Sequence, residues 1–302
     1  MTVRAKASVG VPLGLLFMAL VLALDGLLLN RLFGHDIPNQ QISFVSFVLG
    51  VVVLASLPLL VVLAYHTLSC ARLRYRVDRN GIVIYGAGTE QIIPIGDVRQ
   101  ILPARQLGGV ITRRWGVRWP GCEQGMGRVP GVGVVHFFAT RAWPNQLLLL
   151  TTGPAFAVSP RTPELFVAAF AARRELGPNR QLEAKERRAR WLGWPLWTDR
   201  TARTFIGAAL AVNLGLFALL CILFPSLDLQ LPLHFSSLGQ ADRIGGRMEL
   251  FNLPIIGLII LGTNLVAGLI LYKWERAGAL LLWGSAAAVQ ILFWLATLGL
   301  LL

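Results

Sequence analysis

The segment Leu73-Arg-Tyr-Arg-Val-Asp-Arg-Asn-Gly-Ile-Val-Ile84 decides how the rest of the chain is read. Leu73, Tyr75 and Val77 alternate with arginines, the pattern of a half-buried strand. Asn80-Gly81 supplies a turn, and Ile82 and Ile84 resume the alternation. A hairpin of this kind belongs to a folded, water-facing domain. The sequence on either side of that domain has a different character. Apolar runs cover Val9–Leu29 and Ile42–Tyr65 before it, and Phe205–Phe224, Phe251–Tyr272 and Ala277–Leu302 after it. Each is about 20 residues or longer, enough at about 1.5 Å per residue to cross a hydrocarbon layer of about 30 Å. None carries Lys or Arg in its interior. Five such runs predict five membrane spans and argue against buried helices of a soluble protein. Pro12 and Pro58 fall inside spans, which membrane helices tolerate when neighbouring groups satisfy the freed carbonyls.

The composition agrees. Of 302 residues, 55% are hydrophobic and only 14% charged, against about a quarter charged in an ordinary soluble domain. Disorder is excluded by the same excess of apolar residues. The formal net charge is nevertheless +13, with 28 Lys and Arg against 15 Asp and Glu. In a soluble protein that would suggest nucleic acid; here it reads as topology. Twenty-one of the basic residues lie in the polar island between the second and third runs, and Arg4, Lys6, Lys273 and Arg276 fall on the same side of the membrane. Only Arg31, Arg243 and Arg247 remain for the other side. The charges close to the spans set orientation, and Arg72 to Arg79 and Lys185 to Arg203 are close. The expected arrangement has the N-terminus, the island and the Lys273–Arg276 turn in the cytoplasm. Loop 225–250 and the C-terminus lie outside. The first run is too long for a signal peptide core and no small-x-small cleavage site follows it, so it is expected to remain as an anchor. Cys70, Cys122 and Cys221 are too few and too scattered for a disulfide framework and are expected to be free thiols.

Within the island, strand-like runs follow at Gln91–Ile95, Gly109–Arg113, Val132–Ala139, Gln146–Thr152 and Ala155–Val158. A helix is predicted over Thr162–Leu176, with Leu165, Phe166, Ala169 and Phe170 on one face. Short strands closed by one C-terminal helix predict a small curled sheet or barrel plugged by that helix. The patterns Tyr75-Arg-Val-Asp-Arg-Asn-Gly-Ile, Ile92-Ile-Pro-Ile-Gly-Asp-Val-Arg and Val158-Ser-Pro-Arg-Thr-Pro-Glu-Leu-Phe resemble the bacterial pleckstrin-homology (PH) domains of membrane proteins. The resemblance covers about residues 70–176 and implies a PH-like barrel. In it Ile/Val residues of the second pattern seal the barrel, and Ser159-Pro160 leads into the closing helix. It implies no activity, since fold does not specify function.

The outward loop, Leu231-Pro-Leu-His-Phe-Ser-Ser-Leu-Gly-Gln-Ala-Asp-Arg243, is the most distinctive sequence in the chain. Pro232, His234, Phe235, Gly239, Asp242 and Arg243, with Leu253-Pro254 beyond, resemble a bacterial membrane domain of unknown function. That domain also occurs in immunity-type membrane proteins, whose additional spans are absent here, so immunity is not carried over. His234, Asp242 and Arg243 are candidates for ligand or peptide recognition. The plainer alternative is that Asp242 and Arg243 bond backbone groups while His234 pins the loop to the helix ends. One His with one or two carboxylates is thin material for a metal site, and no nucleophile is apparent apart from Ser236 and Ser237 nearby.

Three other groups of residues call for a reading. Lys185, Arg187, Arg188 and Arg190 interleave with Trp191, Trp194 and Trp197 just before the third span. Tryptophan favours the interface and clustered cations attract anionic lipid. The segment is therefore a candidate for docking the PH-like domain onto the inner leaflet, beside the alternative of an ordinary positive flank. Arg113, Arg114, Trp115, Arg118 and Trp119 form a second basic and aromatic cluster, read as a loop over lipid rather than as a nucleic-acid surface. The glycines of residues 121–127 lack the ending of a phosphate loop. Inside the spans lie Asp25, Asn213, Asn264 and Gln290. Asn213 and Asn264 sit at matching depths and are expected to pair, while Asp25 is the only ionisable group well inside a span.

The predicted architecture is an α+β integral membrane protein of five transmembrane helices with an inserted small β-rich PH-like barrel capped by a C-terminal helix. Its parts are two N-terminal helices (1–69), a cytoplasmic PH-like domain (70–183), a basic Trp-rich interfacial linker (184–204) and three C-terminal helices (205–302). The expected role is non-enzymatic, in the inner membrane of a bacterium, with contact to anionic lipid and a protein partner and with no cofactor, metal or nucleic acid. A small transporter or channel-like component using Asp25 and the midplane amides is the alternative.

Overall fold

A computed structural model describes residues 1–34, 42–107, 112–115, 118–188, 194–235 and 240–301. The elements in chain order are β1 (Thr2–Arg4), α1 (Gly10–Phe33), α2 (Phe44–Ala71), β2 (Arg74–Val77), β3 (Gly81–Tyr85), β4 (Thr89–Pro94), β5 (Val98–Pro103) and β6 (Thr112–Trp115). Then come β7 (Arg118–Trp119), β8 (Cys122–Val129), β9 (Gly133–Ala139), β10 (Leu147–Thr151), β11 (Ala155–Val158), α3 (Pro163–Glu175) and β12 (Lys185–Arg188). The chain closes with α4 (Pro195–Thr198), α5 (Arg200–Leu223), β13 (Gln230–Phe235), β14 (Ala241–Gly246), α6 (Asn252–Leu271) and α7 (Arg276–Leu301). By contacts the chain divides into two units, residues 1–25 with 56–189 and residues 26–55 with 190–302.

Five helices, α1, α2, α5, α6 and α7, are long and apolar enough to cross a membrane. Leu15, Leu16, Leu20, Leu24 and Leu27 of α1 and Leu54, Leu57, Val61 and Val62 of α2 are all exposed. A helix that is apolar all round and uncovered by protein suits a lipid environment.

The first unit holds two open sheets. One runs β1-β2-β3-β4-β12; the other runs β5-β10-β11-β9-β8-β6, with β7 paired to β8. The expected closed barrel is therefore corrected: among the described residues no barrel closes. The reason lies at the end of β4. A 3-10 turn at Ile95–Asp97 sends the chain into β5 of the second sheet, and β12 takes the edge of β4 that a barrel would give to β5. Tyr75, Val77, Ile82, Ile84 and Ile93 of the first sheet pack with Leu147, Leu149, Phe156 and Val158 of the second and with Phe166 and Phe170 of α3. Leu148, Ala155 and Ala157 turn to the opposite face beside Val135 and Phe137 of β9, and Leu107, Val132 and Trp143 from the connecting loops pack against them. The second sheet is thus covered on both faces, which is why Leu147 to Leu150 read as an unbroken apolar run rather than an alternation.

Details of the hairpin and helix depart from the pattern read in the sequence. Asp78 Oδ1 accepts the amides of Asn80 and Gly81, so the turn is Asp78-Arg79-Asn80 and Gly81 belongs to β3. Glycine is needed there because a Cβ would run into the Ile93 carbonyl of β4, not for a left-handed turn. Asn80 Oδ1 accepts the amides of Asn179 and Arg180, and Arg79 donates to the Leu176 and Gly177 carbonyls at the end of α3. Gly177, at φ +67°, ends that helix in the left-handed form usual after a C-terminus. Phe166, Ala169 and Phe170 are buried as expected, but Leu165 is 55% exposed and outside the core. The two edge strands of the first sheet were also unexpected: β1 comes from the N-terminal flank, β12 from the basic linker.

Phe166 has no exposed surface and stands edge-on to Tyr75 at 6.1 Å. Replacing a buried Phe by Ala costs about 3–5 kcal/mol. Phe166→Ala is expected to remove that much protection from the β2 amides in hydrogen exchange of the full chain. Leu165→Ala is expected to change it by less than about 0.5 kcal/mol.

Candidate functional site

The feet of α1 and α2 are built into the sheets of the first unit. Ser8 Oγ donates to the Gly121 carbonyl and accepts the Gly10 amide, which starts α1 against the turn before β8. Trp119 donates from Nε1 to the Gly10 carbonyl at 2.8 Å, and its ring stacks on His66 of α2 at 5.7 Å. Gln124 of β8 donates to the Ser69 carbonyl near the end of α2. Gly10 and Gly14 lie where a Cβ would strike Trp119, the Pro120 carbonyl and Thr67, so small residues let backbone and rings close up. Trp119 therefore serves as a wedge under two helices, not as an open stacking surface. The side chains of Arg113, Arg114, Trp115 and Arg118 lie outside the described residues.

The basic linker divides. Lys185 to Arg188 form β12, paired antiparallel with Thr89–Ile92, and Arg187 approaches Glu90 at 3.7 Å. Lys185 and Arg187 remain exposed at the sheet edge. Only the backbone of Arg188 is described, and Arg190 and Trp191 lie outside the described residues. Trp194 and Trp197 are exposed on the approach to α5.

The loop candidates stand on a two-stranded hairpin, β13–β14. His234 Nδ1 and Asp242 Oδ1 are 2.6 Å apart, and Arg243 donates to Glu249 Oε2 at 2.8 Å. Both pairs are exposed, with His234 67% accessible. Among the described residues these side chains bond one another rather than backbone groups. The backbone role falls to Arg247, which donates to the Phe224 and Leu227 carbonyls and lies over the Phe224 ring at 4.3 Å. Ser236, Ser237 and Gly239 lie outside the described residues, as does the Phe235 side chain.

Among the polar residues in the spans, Asn213 donates to Gln290 Oε1 at 2.8 Å and to the Pro254 carbonyl at 3.0 Å. Gln290 donates in turn to the Gly257 carbonyl. The expected partner Asn264 is thus replaced by Gln290. Gly257 leaves room for the two amides: its missing Cβ would meet both. Asp25 does not reach outward as a solvated carboxylate would. It is 8% exposed and accepts from Ser56 of α2 at 2.6 Å.

One node escaped the sequence reading. Asp199 caps α5, its Oδ1 accepting the Thr201 and Ala202 amides, while its Oδ2 accepts from Tyr272 and Arg276, each at 2.8 Å. An Asp directly before Arg-Thr-Ala-Arg is a recognisable N-cap signal. Its tie to Tyr272 and Arg276, more than 70 residues on, is not. Tyr272 stacks on Trp283 at 6.0 Å, and Gly268 leaves the space that this ring fills. Cys70, Cys122 and Cys221 are free and buried. Among the described residues no three His, Cys, Asp or Glu side chains converge as metal ligands would.

Residues 73–174 match the bacterial PH domain family, well under half of the chain. Searches of curated proteins and of solved structures find no match. The matched region spans β2 to α3, and β1 and β12, which join its first sheet, lie outside the matched residues.

The Arg276 guanidinium, then the Tyr272 hydroxyl, hold the Asp199 carboxyl well below its ordinary value of 3.8. A carboxylate depressed in the folded state adds stability above the ordinary value and loses it as pH falls through the folded one. The difference in thermal midpoint between wild type and Asp199→Asn is therefore expected to stay constant from about pH 8 to pH 5 and to shrink only below about pH 4. Thermal melts of both chains across that range check it.

Proposed function

We propose that this chain is a non-enzymatic protein of a bacterial inner membrane that presents a PH-like module on the cytoplasmic face for contact with lipid or protein. The observation that carries this reading is the attachment of the matched module to α1 and α2. Two residues separate α2 from β2, five separate β1 from α1, and Trp119 and Ser8 bond across the junction. A module so attached lies at the end of two membrane-length helices and offers a fixed face there. The placement of charge supports the cytoplasmic side, since Arg4, Lys6, Arg72, Arg74 and Arg76 flank that junction. Lys185 and Arg187 on the β12 edge, with Trp194 and Trp197 beyond, supply cations and interfacial rings for docking to anionic lipid. The exposed His234–Asp242 and Arg243–Glu249 pairs on the β13–β14 hairpin suit polar recognition by that loop.

The transporter reading is weakened by the bonds that tie Asn213 and Gln290 to each other and to two main-chain carbonyls. Such bonds hold helices together, and among the described residues they leave Asp25, Asn264 and the Asn213 Oδ1 as polar groups for a path.

Hydrogen exchange of the full chain in lipid nanodiscs tests the docking. The amides of residues 181–199 are expected to exchange more slowly in discs containing anionic lipid than in zwitterionic ones. Replacing Lys185, Arg187, Arg188 and Arg190 with Gln should abolish the difference. Identical exchange of the wild-type chain in both discs would remove lipid docking from the proposal.

A further inference from the structure

A cleft of about 350 Å³ in the first unit lies where four separate loops of the module meet. Lys6 reaches it from the lead into α1, Arg105 from the turn after β5, Arg141 from the turn after β9 and Arg161 from the lead into α3. Four cations face one carboxylate, Glu164, and among the described residues none of the four has an ion-pair partner. Like charges gathered around a cleft repel one another and focus a positive potential into it, which an anion relieves.

Two buried atoms give the cleft more than charge. The Arg141 Nε is a donor without solvent or partner. Gln146, 2% exposed, is locked in orientation because its Nε2 donates to Glu123 Oε2 and to the Arg141 carbonyl. Its Oε1 is left buried and unpartnered beside the cleft. A buried acceptor without a donor is destabilising, so it calls for a hydroxyl or amide N–H from a ligand. The first turn of α3 also borders the cleft through Pro163 and Glu164, and its N-cap Thr162 makes no side-chain capping bond. The positive end of a 13-residue helix thus adds to the cations.

We propose that this cleft binds a phosphate ester carrying a free hydroxyl, the chemistry of glycerol phosphate. The phosphate takes the unpaired cations and the Arg141 Nε, and the hydroxyl donates to Gln146 Oε1. The volume suits it, being at the lower end of the range for small-molecule sites. Two sources share this chemistry: a free polyol phosphate, and the headgroup of a glycerol-phosphate lipid. The second is within reach because the Lys6 backbone is fixed to Ser159 and Thr140 four residues before α1 begins. The inference rests on the cleft and does not depend on the docking of the basic linker, which a separate exchange measurement tests.

The experiment is calorimetric titration of the full chain in phosphatidylcholine nanodiscs with sn-glycerol 3-phosphate and, separately, with inorganic phosphate. Glycerol phosphate is expected to bind the more tightly. Arg105→Glu/Arg161→Glu, which alters two exposed side chains, should weaken binding by about tenfold or more while leaving the thermal midpoint unchanged. Repeating the titration in discs containing phosphatidylglycerol separates the sources. Loss of the soluble ligand's binding there identifies the lipid headgroup, and unchanged binding identifies a free phosphate ester; either supports the site. Two results would overturn it: no response to glycerol phosphate or phosphatidylglycerol, or binding that the double variant leaves intact. Equal affinity for inorganic phosphate would overturn the role given to Gln146.

Discussion

The pairing of Thr2–Arg4 with Arg74–Arg76 is the constraint on which the first unit depends. It places a strand from before α1 beside the strand that follows α2, so the two membrane-length helices leave from one edge of one sheet. Val3 is buried in the same core as Tyr75 and Phe166, which gives the register an energetic preference: a one-residue slip would turn Val3 outward. With both ends fixed, the contacts at the helix feet follow. Gly10 comes under Trp119, Gly14 meets Thr67, and Ser8 caps the start of α1.

The same economy appears at the other end of that sheet. Asn80 holds residues 179–180 beside the β2–β3 turn, and from there the chain returns as β12 along β4. The matched PH segment is thus bracketed by strands taken from its flanks. Tyr75 ties the two sheets, its hydroxyl donating to the Phe138 carbonyl and accepting the Ser159 amide. In the second unit the corresponding points are polar groups at helix crossings, Asp199 with Tyr272 and Arg276 and Asn213 with Gln290.

Much of this was legible in the residues. The five apolar runs became five helices, and α1 and α2 begin and end within a few residues of the predicted spans except where α2 extends to Ala71. The β2–β3 hairpin, β9 to β11 and α3 were readable because each carries an apolar period or run matched to its burial. What was missed lacked that signal. Cys122–Val129 contains Gly125 and Gly127 and shows no strand pattern, yet it lies between β6 and β9 because pairing on both edges outweighs the poor strand preference of glycine. Thr2–Arg4 and Lys185–Arg188 are too short and too charged to suggest strands; the free edges of β2 and β4 select them. The amide pairing was misassigned because depth along a helix says nothing of the face a residue takes. The recognition candidates His234, Asp242 and Arg243 were found from their sequence pattern, but only the fold shows that they pair side chain to side chain.

The central claim is that the N-terminal strand fastens the PH-like module to the two helices. Hydrogen exchange of the Val3→Asp chain in lipid nanodiscs tests it most directly. The account predicts that the amides of Arg74–Val77 and those of the first turn of α1 lose protection together, because one pairing holds both. Retention of wild-type protection at Arg74–Val77 would contradict it.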